Sequence, residues 1–153
     1  RSVLCAGCRD LCGRGGGYDR HSGRSFLFQA RHAHSGDAAW GDMAEAFHWA
    51  DVVVCRSGAM TVSELAVAGV PAIFIPFPFA IDDHQTANAR WMADAGAAFL
   101  VQQQDMTVDK LAGWLSMLNA DRGKLAEMRK KAAALGIHDA TQRVARYCVE
   151  LAR

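Results

Sequence analysis

Along residues 42–153, apolar positions alternate between a helical and a strand-like period, and that alternation predicts the architecture. Met43, Phe47 and Ala50 recur at helical spacing before Asp51. Val52, Val53, Val54 and Cys55 then form a largely β-branched run suited to a strand covered on both faces, as in a parallel sheet. Ser57-Gly58 turns the chain, and Val62, Leu65 and Ala66 supply the stripe of a helix ending near Gly69. Pro71 separates that helix from a second strand over 72–76. Strand, helix, strand is a βαβ unit, which fixes parallel pairing and a right-handed crossover.

The same alternation continues to the end of the chain. A helix starts at Gln85 or Thr86 and stops before Gly96, and a short strand covers 98–101. Thr107 caps the next helix, whose inner face carries Leu111, Trp114, Leu115 and Leu118. A helix over 124–135 is closed by Gly136, and Asp139-Ala-Thr-Gln142 opens the last one in the manner of a capping box. The fold class is therefore α/β: a Rossmann-like, doubly wound parallel sheet with its ligand edge at the carboxyl ends of the strands.

Residues 1–41 carry neither period. In "CAGCRDLCGRGGGYDRHSGR" Arg, Gly, Cys and His crowd together, whereas every lysine of the chain lies at Lys110 or later. Only 25–30, with Phe26, Leu27 and Phe28, and the short run 2–5 read as strands. The change of texture marks 1–41 as an atypical segment, out of frame or disordered, joined to a domain over 42–153.

Composition narrows the function. A length of 153 residues suits one domain, and 17 basic against 16 acidic residues leave a net charge of +1. No global field for holding nucleic acid follows from that balance, so any anion must be bound locally. The longest apolar run, 70–81, is broken by all 3 prolines and is too short to span a bilayer. An odd count of 5 cysteines and no secretory signal pattern point to a reducing, cytosolic compartment. Cys5, Cys8 and Cys12, with His21, His32 and His34 downstream, lack the regular spacing of a zinc finger, and free thiols are the expectation. "GRGGG" at 13–17 lacks the strand before and the helix after that a phosphate loop needs. No metal or cofactor is expected.

Chemistry concentrates in "CRSGAMTVSELAVAGVPAIF", 55–74, where strand and helix flank the turn. A helix N-terminus offers unpaired N–H groups and a positive dipole end, so Gly58, Ala59, Met60 and Thr61 suit a diphosphate without any lysine, with Arg56 adding a charge-assisted contact. The competing reading makes Thr61-Val-Ser-Glu64 simply a capping box. "DDHQTANA", 82–89, follows the next strand, so His84 and Gln85 belong to the same sheet edge as the Glu64 helix. A carboxylate accepting two hydroxyl hydrogen bonds suits a ribose, and Gln85 can donate and accept toward sugar or phosphate oxygens. His84 alone also reads as a loop residue, and Asp82 and Asp83 as helix-start charges.

"DMAEAFHWADVVVCRSGAMTVSELAVAGVPAIFIPFPFAIDDHQTANARWMADAGAA" resembles the C-terminal, donor-binding domain of the MurG family, and the likeness continues through "GIHDATQRVARYCVELA". That family is the UDP-N-acetylglucosamine:N-acetylmuramyl-(pentapeptide) pyrophosphoryl-undecaprenol N-acetylglucosaminyltransferase of bacterial peptidoglycan synthesis. The resemblance implies the C-terminal half of a two-domain GT-B glycosyltransferase that moves GlcNAc from UDP-GlcNAc to lipid I with inversion, forming lipid II, without a metal. Full-length members are implied to sit in the bacterial cytoplasm, peripherally on the inner membrane. It further implies a donor pocket of Ser57, Gly58, Ala59, Met60, Thr61, Val62, Ser63 and Glu64, with Glu64 on the ribose, Gln85 on the GlcNAc hydroxyls, and His84 and Asn88 close by.

This chain also departs from the family. Ala39-Trp40-Gly41-Asp42 replaces the family's phenylalanine-isoleucine-acidic-aspartate stretch, whose isoleucine backbone meets uracil, which leaves Trp40 as the weak candidate there. The glycine- and serine-containing turn that opens the family's C-terminal domain is not recognisable, and no acceptor-binding domain is seen. The expectation is donor binding without turnover, lipid I engaging only with an N-terminal domain. The alternatives are another UDP-sugar GT-B enzyme, transferase or 2-epimerase, or a non-functional gene fragment.

Overall fold

The computed structural model describes residues 2–6, 29–33 and 43–152. Five parallel strands, β1 (Ser2–Ala6), β2 (Gln29–Ala33), β3 (Val52–Cys55), β4 (Ala72–Phe74) and β5 (Ala98–Leu100), form one sheet in the order β2-β1-β3-β4-β5. Among the described residues six α-helices accompany them: α1 (Met43–Trp49), α2 (Ala59–Ala68), α3 (His84–Asp94), α4 (Val108–Ala120), α5 (Arg122–Leu135) and α6 (Ala140–Leu151). The order reverses direction between β1 and β3, which makes their carboxyl ends the switch point where open α/β sheets bind ligands.

The buried run of β3 and β4 divides its side chains by the strand period of two. Val53, Cys55, Ala72 and Phe74 join a core with Ala46 and Phe47 of α1, Val62, Leu65 and Ala66 of α2, and Ala89 and Met92 of α3. Val52, Val54, Ile73 and Ile75 join Val3 and the opposite core, with Leu118 of α4 and Leu125 and Met128 of α5. Helices therefore cover both faces, as the near-continuous apolar strands require. Phe99 stacks on Trp114 at 4.9 Å, fastening β5 to α4. α6 lies outside both cores and buries none of its residues.

Several local expectations hold. Gly69 closes α2 with φ of 65°, its N–H bonded to Ala66 C=O at 3.1 Å while Val70 N–H reaches Leu65 C=O at 2.9 Å. This is the paired C-terminal motif that glycine supplies without steric cost. Thr107 caps α4 by accepting from Lys110 N–H at 3.1 Å, and Asp121 caps α5 by accepting from Lys124 N–H at 2.9 Å. α5 thus starts two residues earlier than its apolar pattern shows.

Other expectations are corrected. Asp139 precedes α6 but makes no cap bond; its carboxylate accepts instead from Arg143 Nε at 3.1 Å, where a charge-assisted pair outcompetes a backbone N–H. The strand expected over 25–30 is found at Gln29–Ala33, and the run expected over 2–5 extends to Ala6. β1 pairs with β2 on one side and β3 on the other, so the sheet runs across residue 42. Cys8, Cys12, the 13–17 glycine run, His21, His34 and Trp40 lie outside the described residues.

Candidate functional site

The carboxyl end of β3 runs through Arg56, Ser57 and Gly58 into α2. Gly58 is the residue before the helix, extended at φ −63° and ψ 147°, and no side chain caps the helix. The first intrahelical bond joins Val62 N–H to Gly58 C=O at 3.0 Å, so the N–H groups of Ala59, Met60 and Thr61 have no partner within the helix. A side chain added at Gly58 would meet only Thr61 Oγ1 at 4.0 Å, which leaves this face open to close approach by a ligand. Unpaired N–H groups and the dipole end together favour an anion.

The capping-box reading of Thr61 and Glu64 is excluded by this register. A box needs Thr61 outside the first turn, but α2 begins at Ala59 and Thr61 is its third residue. Glu64 is exposed and has no hydrogen bond or ion pair with any described residue. Its carboxylate is available. Met60 is 75% exposed, whereas Val62 is 4% exposed and belongs to the core, and Ser63 Oγ donates to Ala59 C=O at 2.9 Å. Of the α2 candidates, Val62 therefore presents no side chain to the sheet edge.

The second motif is joined directly to the first. Ser57, fully buried, donates its hydroxyl to Gln85 C=O at 2.7 Å, and Asn88 Nδ2 donates to Ser57 C=O at 3.1 Å. Two bonds thus fix the N-terminal part of α3 against the approach to α2. They hold Ser57 and Asn88 as struts between the motifs. Gln85 Oε1 accepts from Phe77 N–H at 2.9 Å, so the oxygen is turned toward Phe77 and the NH2 group faces the other way with both of its donors. The sequence allowed Gln85 to donate or accept; this geometry turns its donor end away from Phe77.

α3 begins on two left-handed residues, Asp82 at φ 53° and Asp83 at φ 50°. The Asp83 carboxylate accepts from buried Thr86 Oγ1 at 2.5 Å, and Gln102 Nε2 donates to the same hydroxyl at 3.0 Å. Asp83 is thus a brace as well as a helix-start charge. His84, the first residue of α3, is exposed at the same edge.

Arg56, expected as a phosphate contact, is committed elsewhere. Its Nη1 donates to Ile75 C=O and Pro76 C=O, both at 3.0 Å, and its Nη2 donates to Gln103 Oε1 at 2.6 Å. The guanidinium also lies 5.7 Å from the centre of the Phe77 ring, which packs edge to face on Phe79. Sequence reading missed Phe77, Thr86, Gln102 and Gln103. The signal was present in "VQQQD", because residues following β5 share the edge reached by those following β3 and β4.

Among the described residues no group of three His, Cys, Asp or Glu side chains is placed to hold a metal ion, and no helix is long and apolar enough to cross a membrane.

The model of the glycosyltransferase family 28 C-terminal domain matches residues 26–144. A curated relative from Shewanella amazonensis, named UDP-N-acetylglucosamine--N-acetylmuramyl-(pentapeptide) pyrophosphoryl-undecaprenol N-acetylglucosamine transferase, is 55% identical over 112 residues, covering 73% of this chain and 31% of its own length. The Burkholderia ambifaria protein of the same name is 54% identical over 111 residues, covering 72% and 30%. The chain thus spans about a third of the length of the curated relatives it matches. The crystal structure of Acinetobacter baumannii MurG superposes with a TM-score of 0.68 at 43% identity, over 77% of this chain and 33% of that one. Glycosyltransferase VinC, solved with dTDP, shares the fold at 18% identity and a TM-score of 0.61, over 95% of this chain and 41% of its own. The chain belongs to the glycosyltransferase family 28 C-terminal domain family, and its likeness within that family is to MurG.

Proposed function

We propose that this chain is the donor-binding half of a MurG-type N-acetylglucosaminyltransferase and that its ligand is UDP-GlcNAc. The observation that carries the reading is the pair of bonds from Ser57 to Gln85 and from Asn88 to Ser57, which brings both motifs to one edge of the sheet. The names of the relatives supply the chemical class, a UDP-sugar donor and a lipid-linked acceptor.

In this reading the N–H groups of Ala59, Met60 and Thr61 receive the diphosphate, and Gly58 lets it approach. Their contribution grows as the glycosidic bond breaks, because the departing UDP gains charge that the helix end stabilises. Glu64 accepts hydrogen bonds from the ribose hydroxyls, and the Gln85 NH2 group donates to a GlcNAc hydroxyl. His84 lies beside it. No step uses a metal.

Deprotonation of the acceptor hydroxyl is assigned to the part of the relatives' length that this chain does not span, along with lipid I binding and peripheral contact with the cytoplasmic face of the membrane. Residues 42–153 form the donor unit, with β1 and β2 completing its sheet. The expected behaviour is UDP-GlcNAc binding without turnover. Calorimetric titration with UDP-GlcNAc tests it, with Glu64→Ala as the control that leaves the fold untouched. Saturable binding that this substitution weakens about tenfold supports the reading, as expected for lost hydrogen bonds to a charged acceptor. Lipid II formation by this chain alone, or binding indifferent to Glu64, overturns it.

A further inference from the structure

We infer that Arg56 is a positioning residue for Gln85, acting through the backbone of Ile75, Pro76 and Phe77, with Gln103 as its buttress. The inference rests on the donor-site reading for its consequence but on geometry alone for its mechanism.

One guanidinium gathers three successive loops. Arg56 follows β3, its two Nη1 acceptors follow β4, and Gln103 follows β5. Ile75 and Pro76 are buried, and the next residue, Phe77, turns outward to 44% exposure. Holding both carbonyls fixes the peptide planes on the two sides of Pro76, and with them the direction of the Phe77 N–H. That N–H is the donor that occupies Gln85 Oε1 at 2.9 Å. The guanidinium lies 5.7 Å from the Phe77 ring centre as well, so side chain and backbone of Phe77 are held by one group.

The chemical consequence lies in the orientation of the Gln85 amide. A glutamine amide has two nearly isosteric ends, one accepting and one donating. With the Phe77 N–H in place, rotating the amide by half a turn would set NH2 against N–H, so only one orientation persists. Arg56 thereby decides that a donor rather than an acceptor meets the ligand. Lysine cannot replace it, since a single ammonium lacks the planar fork that reaches two carbonyls and a glutamine oxygen at once.

The experiment uses the full chain with Arg56→Lys, Gln103→Ala, Gln85→Ala and the Arg56→Lys/Gln85→Ala pair. Amide hydrogen exchange without ligand reads the mechanism. Phe77 N–H protection should fall about tenfold or more in Arg56→Lys and less in Gln103→Ala, consistent with losing part of a hydrogen-bonded brace, while Val53 and Val54 in β3 keep theirs. Titration with UDP and with UDP-GlcNAc reads the consequence. Arg56→Lys should lower UDP-GlcNAc affinity about tenfold and leave UDP within about twofold, and the double variant should bind no more weakly than Gln85→Ala. Unchanged Phe77 protection in both Arg56→Lys and Gln103→Ala overturns the inference, as do equal losses for UDP and UDP-GlcNAc, which mark a general structural role. If the unaltered chain binds neither nucleotide, the donor reading fails, and the exchange result still decides whether Arg56 orients Gln85.

Discussion

Ser57→Ala removes the hydroxyl that ties the first motif to the second, and its cost can be worked from the structure. Ser57 is fully buried and its Oγ donates to Gln85 C=O at 2.7 Å. One neutral hydrogen bond contributes about 0.5–1.5 kcal/mol net. The vacated oxygen leaves a void of about 15 Å³, adding about 0.4 kcal/mol at roughly 24 cal/mol per Å³. The expected destabilisation is therefore about 1–2 kcal/mol, about 2–8 °C in Tm at the roughly 2–4 °C per kcal/mol usual for this size. Urea denaturation followed by circular dichroism should show a lower midpoint at an unchanged slope. Ser63→Ala is the matched control, because its hydroxyl is exposed and donates only to Ala59 C=O in its own helix, at 2.9 Å. That variant should stay within about 0.5 kcal/mol of the parent. Equal losses in the two variants, or a loss under about 0.5 kcal/mol for Ser57→Ala, would refute the claim that this bond braces the site.

Gly69→Ala should cost about 1–2 kcal/mol in the same assay, because the residue sits at φ 65° and an added Cβ would lie 3.2 Å from Ala133 Cβ; a neutral or stabilised variant would contradict the left-handed end of α2. The Glu127 pKa is lowered, first by its side-chain hydrogen bond to Lys131 and then by the Lys131 charge. A depressed carboxylate adds stability above its unfolded-state pKa and loses it as pH falls through the folded value. Acid titration of stability should therefore be slightly shallower in Glu127→Gln than in the parent, and an identical acid limb would show that this exposed pair, 2.7 Å apart, contributes nothing.

The sequence by itself determined the framework from β3 onward. Val52, Val53 and Val54, the stop at Gly69, the Thr107 cap and the stripe of Leu111, Trp114, Leu115 and Leu118 are local signals, written in periodicity and backbone preference over a few neighbouring residues. The two motifs were also legible as neighbours, because parallel strands send their following loops to one edge. Where a local signal met a non-local competitor, the structure decided. Asp139 turned to Arg143 rather than to the helix end, and α2 begins at Ala59, two residues after Ser57, which α3 holds through two hydrogen bonds. The first strand carries only a weak local signal, because its place in the sheet comes from backbone pairing with β2 and β3 on either side rather than from its own five residues.

The tertiary structure alone assigned roles within the site. Arg56 and Gln103 are separated by 47 positions, and Arg56 and Ile75 by 19, so no local rule could show that a conspicuous cation beside the turn into α2 directs its donors to neighbouring loops. The donor orientation of Gln85 likewise depends on an N–H eight residues away. Residue types and short-range spacing specify which groups are present and on which edge they gather. Which of them are free to meet a ligand is settled by hydrogen bonds between distant segments, and those exist only once the chain has folded.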